Sequence, residues 1–391
     1  MGKHIAFFNI PAIGHIMPTL AVVTELVRRG HRVSYTSIEK RRPLIEAAGA
    51  QLHTYRSLRP SDSDPTIQAP PRHGYISQSL LSFVEEAENT FTQLEPRYRE
   101  DRPDLIVFDR MAFAGRVLAA KLGVPMVQLW PMLVSNEHWS LAGVPDTFDP
   151  ADPVYVAYGA KLESFLSVHC PRLDPAEFLT PVLDRHIAFY PWRFQYQGEL
   201  FDRRYCFVGP CLRPAPGQWR PAGDKPVLLA TLGTIYNLDP GFYRCCVEAF
   251  AASPWHVVMA VGERIDRGTL GRLPSNVEVH RVVPQLDILA HASALVCHAG
   301  MGGIMEAMSR AVPVLAVPQT LEQEANAARI EELGLGAQIP PARLTATSLR
   351  ETVEMLAKDN AVADRVAAMR RDIQAAGGTS RAADIIEECL T

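Results

Sequence analysis

The sequence predicts an α/β protein made of two parallel-sheet, Rossmann-like domains, and three observations carry that expectation. A chain of 391 residues exceeds the roughly 250–300 residues at which a single hydrophobic core stops growing. Strand-like runs of four to seven apolar residues alternate with helix-period segments in both halves, the pattern of a sheet covered on both faces. Between the halves lies a stretch rich in proline with almost no apolar periodicity.

In order, residues 5–10 form a first buried strand, and Pro11 to Pro18 make the turn into a helix. On that helix Leu20, Val23 and Val27 share one face, Arg28 and Arg29 occupy the last turn, and Gly30 is the stop. A second strand spans residues 32–37. Residues 104–108 make a strand ending at Asp109, followed by a helix over 112–122 and a strand over 124–129. Residues 59–75 and 130–175 read as inserted loops and short helices. Pro210, Pro214, Pro216, Pro221 and Pro226 mark residues 209–226 as an interdomain linker, which bounds a first domain at 1–208 and a second at 227–376. The second domain repeats the pattern: strands over 227–232, 255–261, 294–297 and 314–317, with helices over 242–251 and 303–311. The segment 377–391 carries a helix with Ala382, Ile385, Ile386 and Cys389 on one stripe, expected to pack back on the first domain.

Composition narrows the function. The chain is 47% hydrophobic and 21% charged, with 39 Lys plus Arg against 43 Asp plus Glu and a net charge of −4. That balance lacks the basic surplus on which nonspecific nucleic-acid binding draws. Seven cysteines without paired short spacings argue for a reducing compartment and against a disulfide frame or zinc cluster. No run reaches the ~18 apolar residues of a membrane span and no signal-peptide pattern opens the chain, so a cytoplasmic location is expected.

Open α/β sheets bind ligands beyond the carboxyl ends of their strands. The richest such place is residues 296–306, where a strand delivers His298, Gly300, Gly302 and Gly303 to the start of a helix. Glycines let the backbone approach an anion, first-turn N–H groups point at it, and the helix dipole adds positive charge. His298 is placed to donate to a phosphate oxygen and Glu306 to accept the hydroxyls of a ribose. The same glycines also serve tight packing. Val283-Pro284-Gln285 lies upstream, and Pro318-Gln319-Thr320-Leu321-Glu322-Gln323 with Asn326 lies downstream, each at a strand end.

With these segments the chain resembles the GT-B-fold nucleotide-sugar glycosyltransferases, most closely the bacterial macrolide (oleandomycin-type) enzymes, over nearly its whole length. The resemblance implies two Rossmann-like domains facing across a cleft, and a donor such as UDP-glucose as co-substrate with no further cofactor. It assigns Gln285 to the base, His298, Gly300, Gly302 and Gly303 to the diphosphate, Glu306 to the ribose, and Glu322 with Gln323 to the sugar hydroxyls. Thr234, following Gly233, matches a hydroxyl that reaches the phosphates. Val282 stands where the family often places a tryptophan that stacks on uracil, which leaves a TDP-deoxysugar as the alternative donor.

His15 and Asp109 also follow strand ends. A sugar acceptor hydroxyl has a pKa far above neutrality, so its attack benefits from an imidazole base aligned by a carboxylate. An Asp after a strand also serves as a helix cap, and the resemblance assigns the pair to catalysis. Met111, Phe113, Trp130, Met132 and Trp139 are the candidates for a pocket accepting a hydrophobic alcohol, with core packing as the other reading. Asp62-Ser63-Asp64 spells a metal-binding Asp-x-Asp, but lies among turn-forming prolines, and a metal-independent reaction is expected. A nucleotide-sugar epimerase and a non-catalytic sugar-nucleotide binder remain open. A dinucleotide oxidoreductase lacks its G-x-G-x-x-G after the first strand. The oligomeric state, a homodimer included, is open.

Overall fold

The computed structural model describes residues 2–60, 74–144, 147–179, 183–215, 217–235 and 237–390. Of these, the residues through Arg213 together with 376–390 form one compact unit, and those from Pro214 to Ala375 form a second. Asp62 and Asp64 lie outside the described residues.

The first unit runs β1 (His4–Phe8), α1 (Ile13–Arg28), β2 (Arg32–Ser37), α2 (Arg42–Ala47), β3 (Gln51–Thr54), α3 (Tyr75–Glu100), β4 (Leu105–Asp109), α4 (Phe113–Leu122), β5 (Met126–Trp130), α5 (Pro153–His169), β6 (His186–Ala188) and β7 (Tyr205–Phe207). Its strands form one seven-stranded sheet, ordered β3-β2-β1-β4-β5-β6-β7. Every pairing in it is parallel. Because successive side chains alternate between faces, Ile5, Phe7, Leu105 and Val107 enter one core beneath α1, while Ala6, Phe8, Ile106 and Phe108 enter another beneath α3, α4 and α5. At Gly115 the close approach of α4 to the sheet requires a glycine: a Cβ there would stand 2.7 Å from the Cβ atoms of both Phe8 and Phe108.

Two long helices depart from the sequence reading. The 17-residue α5 replaces the loops and short helices expected across 130–175. Its apolar residues surround it instead of forming one stripe: Leu162 and Phe165 are buried while Val156 and Val168 are 58% and 72% exposed, so helical periodicity is masked. The 26-residue α3 covers the same face.

The second unit runs β8 (Val227–Thr231), α6 (Pro240–Phe250), β9 (His256–Ala260), β10 (Val277–His280), α7 (Gln285–Leu289), β11 (Ala292–Cys297), α8 (Met301–Ser309), β12 (Val314–Ala316), α9 (Leu321–Glu332), β13 (Gly336–Gln338), α10 (Ala346–Lys358) and α11 (Asn360–Ala375). Its six strands are ordered β10-β9-β8-β11-β12-β13 and all run parallel. The buried Asp287 of α7 holds the proline-rich segment by accepting the backbone N–H of Gly217 at 3.0 Å and of Gln218 at 2.7 Å.

The last helix, α12 (Gly378–Glu388), belongs to the first unit. Ala382, Ile385 and Ile386 are fully buried in the core beneath α1, and Arg29 Nη1 donates to Asp384 at 2.7 Å and to Glu387 at 2.5 Å. Cys389 is only partly buried against that core. All seven cysteines are free. Among the described residues no helix is long and apolar enough to cross a membrane.

Candidate active site

Each sheet reverses its strand order at one place, and there the loops on either side diverge to leave room for a ligand. In the first unit that place is β1, which pairs β2 on one side and β4 on the other. In the second it is β8, flanked by β9 and β11. The register places Phe8 opposite Phe108 and Thr231 opposite Cys297. The chain therefore leaves β1 beside Asp109, and leaves β8 beside His298. The candidate residues of the two units thus stand at equivalent points of two equivalent sheets.

His15 lies in the first turn of α1, and its Nδ1 is 2.7 Å from Asp109 Oδ2. Asp109 is 1% exposed against 17% for His15, and its other oxygen accepts the Met111 N–H at 2.7 Å. Both carboxylate oxygens are thereby committed, which fixes the plane of the group and the orientation of the ring. Beneath the pair is a bed that sequence reading did not find. Asn9 Nδ2 donates to the His15 carbonyl at 3.2 Å and to Tyr35 Oη at 2.6 Å, and Tyr35 Oη is 2.7 Å from Thr19 Oγ1. The bed matters because Pro18, inside α1, has no N–H to offer the Gly14 carbonyl, so the first turn carrying His15 is one helical bond short. A polar Asn directly after an apolar strand was the available signal.

In the second unit His298 sits between two glycines. A Cβ on Gly233 would stand 2.4 Å from His298 Cε1, and one on Gly300 would stand 2.5 Å from Nε2; Gly233 also has φ +79°, where a side chain is strained. His298 Nδ1 is buried without a hydrogen-bond partner, and burial pushes the imidazole down to about 4, so the ring is neutral at physiological pH. The next residue, Ala299, has φ +62°, an unusual conformation for a residue with a side chain that costs on the order of 1–3 kcal/mol. Asn326 of α9 holds it by donating Nδ2 to the Ala299 carbonyl at 3.0 Å. Asn237 similarly pins the loop after β8, donating to the Gly233 carbonyl at 3.0 Å and to that of Val261 at 2.8 Å.

Gly300 is the N-cap of α8, with Gly302 exposed and Gly303 partly buried in its first turn. Glu306, one turn on, accepts a 2.6 Å hydrogen bond from Gln285 Nε2, so the residues expected to meet ribose and base are already in contact. Burial pushes the Glu306 carboxyl up to about 7, against the downward pull of that bond. Gln323 Oε1 accepts the Gln319 N–H at 2.8 Å, and its backbone faces the Thr320 cap of α9, with Glu322 in the same first turn. Thr234 is exposed after β8, and Val282 is 78% exposed after β10.

The acceptor candidates divide. Phe113, Trp130 and Met132 are 3%, 1% and 8% exposed; Phe113 nevertheless lines a small cavity with Met111, Asn9 and Tyr55, whereas Trp130 and Met132 are core residues. Phe113 packs edge-on against Phe83 and Phe178, and Trp130 Nε1 donates to His186 Nδ1 at 3.3 Å. Met111 and Trp139 are partly exposed, and Trp139 stacks on Tyr196 with centroids 5.1 Å apart. Among the described residues no group of three or more His, Cys, Asp or Glu is arranged to hold a metal ion.

Two parallel-sheet units with chemistry-bearing loops at their switch points define the GT-B class of glycosyltransferases, and comparison with known proteins agrees. The solved structure of CalG4, the calicheamicin glycosyltransferase, superposes with a TM-score of 0.88 at 39% identity, covering 100% of this chain and 98% of that one. The NDP-glycosyltransferase YjiC of Bacillus licheniformis is 40% identical over 99% of this chain and 98% of its own. Demethyllactenocin mycarosyltransferase of Streptomyces fradiae is 38% identical over 99% and 87%. The family model for the erythromycin biosynthesis protein CIII-like C-terminal domain matches residues 247–389. The chain belongs to the bacterial macrolide-type glycosyltransferases and is an enzyme of that kind.

Proposed function

We propose that the enzyme is an inverting, metal-independent hexosyltransferase that moves glucose from UDP-glucose to a hydroxyl of a hydrophobic natural product. The observation that carries this reading is the 2.7 Å contact between His15 Nδ1 and Asp109 Oδ2 at the switch point of the first sheet. With the Nδ1 proton directed at Asp109, Nε2 is the atom that takes the proton from the acceptor hydroxyl. The oxygen then forms its bond to the anomeric carbon as the bond to the diphosphate breaks on the opposite face, so an α-linked donor gives a β-glycoside. Asp109 stabilises the imidazolium as it forms.

Negative charge accumulates on the departing UDP. The reading places those phosphates on the first turn of α8 beside His298, whose unpartnered Nδ1 suits a phosphate oxygen, with fixed N–H dipoles in place of a cation. Gln285 takes the base, Glu306 the ribose, Glu322 and Gln323 the sugar, and Thr234 a phosphate. The partly exposed Met111 and Trp139 are the acceptor contacts retained. A relative named for transfer to demethyllactenocin supports a natural-product acceptor.

Incubation with a panel of UDP- and TDP-sugars and of macrolides and flavonoids, read by mass spectrometry, tests donor and acceptor together. A hexose added only from UDP-glucose is the expected result, and transfer only from a TDP-deoxysugar overturns the donor assignment. Turnover is expected to persist in EDTA; complete loss restored by magnesium or manganese refutes metal independence.

The raised Glu306 carboxyl gives the donor step a pH dependence. Only the ionised form accepts both ribose hydroxyls, so UDP-glucose binding strengthens as pH rises through about 7. Below that value each pH unit removes about tenfold of the ionised fraction. The Kd for UDP-glucose, which does not itself titrate there, is expected to rise about five- to tenfold between pH 8 and pH 6, and Glu306→Gln to abolish the slope.

A further inference from the structure

Arg110 follows Asp109 at the carboxyl edge of β4, on a residue pair whose register partner, Leu129, precedes Trp130. Its guanidinium lies over the Trp130 ring, with Cζ 4.8 Å from the centroid. Nε is buried without an acceptor, and among the described residues none accepts a hydrogen bond from this guanidinium. The adjacent Asp109 accepts from His15 and from the Met111 N–H but takes no hydrogen bond from Arg110, and its charge offsets only part of the cost of burying the guanidinium.

The edge that carries the His15–Asp109 pair therefore also carries a guanidinium without a protein acceptor among the described residues. Leaving a half-enclosed guanidinium unpaired is costly, and the aromatic face beneath it offsets only part of that cost. The planar fork matches a carboxylate, which accepts two parallel N–H bonds.

We propose that Arg110 forms an acceptor-recognition subsite for a carboxylate, so that hydroxylated apolar compounds bearing an acid are preferred over the same compounds as neutral esters or as amines. The inference rests on the reading of the first unit as the acceptor side and gives that acceptor a chemical class. Trp130, too enclosed to meet an acceptor itself, acts as the platform that orients the guanidinium.

The test uses a matched pair, 6-hydroxy-2-naphthoic acid and its methyl ester, with the full chain. Calorimetric affinity and, with UDP-glucose, kcat/KM are measured for each. The wild-type enzyme is expected to favour the acid about tenfold or more in both. Arg110→Met is expected to collapse the acid-to-ester ratio to within about twofold, and Arg110→Lys to retain part of it. UDP binding to each variant reports that it is folded. An equal affinity of the wild-type enzyme for acid and ester, an equal loss of both in Arg110→Met, or binding of neither overturns the subsite. Acid-selective binding without transfer refutes the acceptor reading while leaving the subsite intact, and transfer to the ester without any acid preference refutes the subsite alone.

Discussion

His15→Ala is expected to lower kcat by about 10² to 10⁴ while leaving the Kd for UDP unchanged. The imidazole touches the reacting hydroxyl in the proposed mechanism, and the carboxylate on the same helix, Glu25, is held by Arg28 and Arg29 toward its other end. The fold should tolerate the change, because the ring is partly exposed and the Asn9 bed grips the His15 backbone, not its side chain. Single-turnover measurement of glucoside formation separates this loss from slow product release. A loss below about threefold would remove His15 from the reaction. Asn9→Leu provides the contrast: it withdraws the bond to the His15 carbonyl and the one to Tyr35, so it is expected to lower kcat and stability together.

Gly302→Ala is expected to raise the Kd for UDP and the KM for the donor by about tenfold or more without lowering Tm. A Cβ at Gly302 meets nothing within 4 Å, and the residue has no positive φ. In the unliganded protein the methyl group is thus harmless, and replacing glycine inside a helix even favours folding by up to about 1 kcal/mol. The group would stand instead over the first-turn N–H groups of α8, where a diphosphate must come close. Gly233 and Gly300 cannot make this distinction, since a methyl at either would strike His298 and damage packing as well as binding. Unaltered UDP affinity in Gly302→Ala, read by calorimetry, would place the diphosphate elsewhere.

The strands bearing the site were legible because they are buried on both faces. Residues 5–8, 105–108 and 294–297 are continuous apolar runs, and the residues that end them, Asp109 and His298, stand out against their neighbours. The three-residue β6, β7 and β13 are too short to show a period. Phe113 and Trp130 were ambiguous for a different reason: an aromatic after a strand looks the same whether it faces a ligand or a core, and only packing decides. The supporting polar contacts were the least legible. Asn9 with Tyr35, and Asn326 with Ala299, join residues 26 and 27 positions apart, and neither pairing follows a local spacing. Asn326 was visible as part of a motif, but its task of holding a backbone in a left-handed conformation depends on a dihedral angle that no sequence pattern encodes.

The return of α12 to the first unit bears on how enzymes of this kind can be recombined. Its apolar stripe completes the core beneath α1, and Arg29 ties it down through Asp384 and Glu387. The amino-terminal half is therefore discontinuous in sequence. A chimera cut once, near Arg213, would pair one parent's α1 with another parent's closing helix and confront Arg29 with foreign partners. If the first unit binds the acceptor as proposed, a transplant of acceptor preference has to carry two segments, the chain through Arg213 and the final helix, exchanged as a matched set.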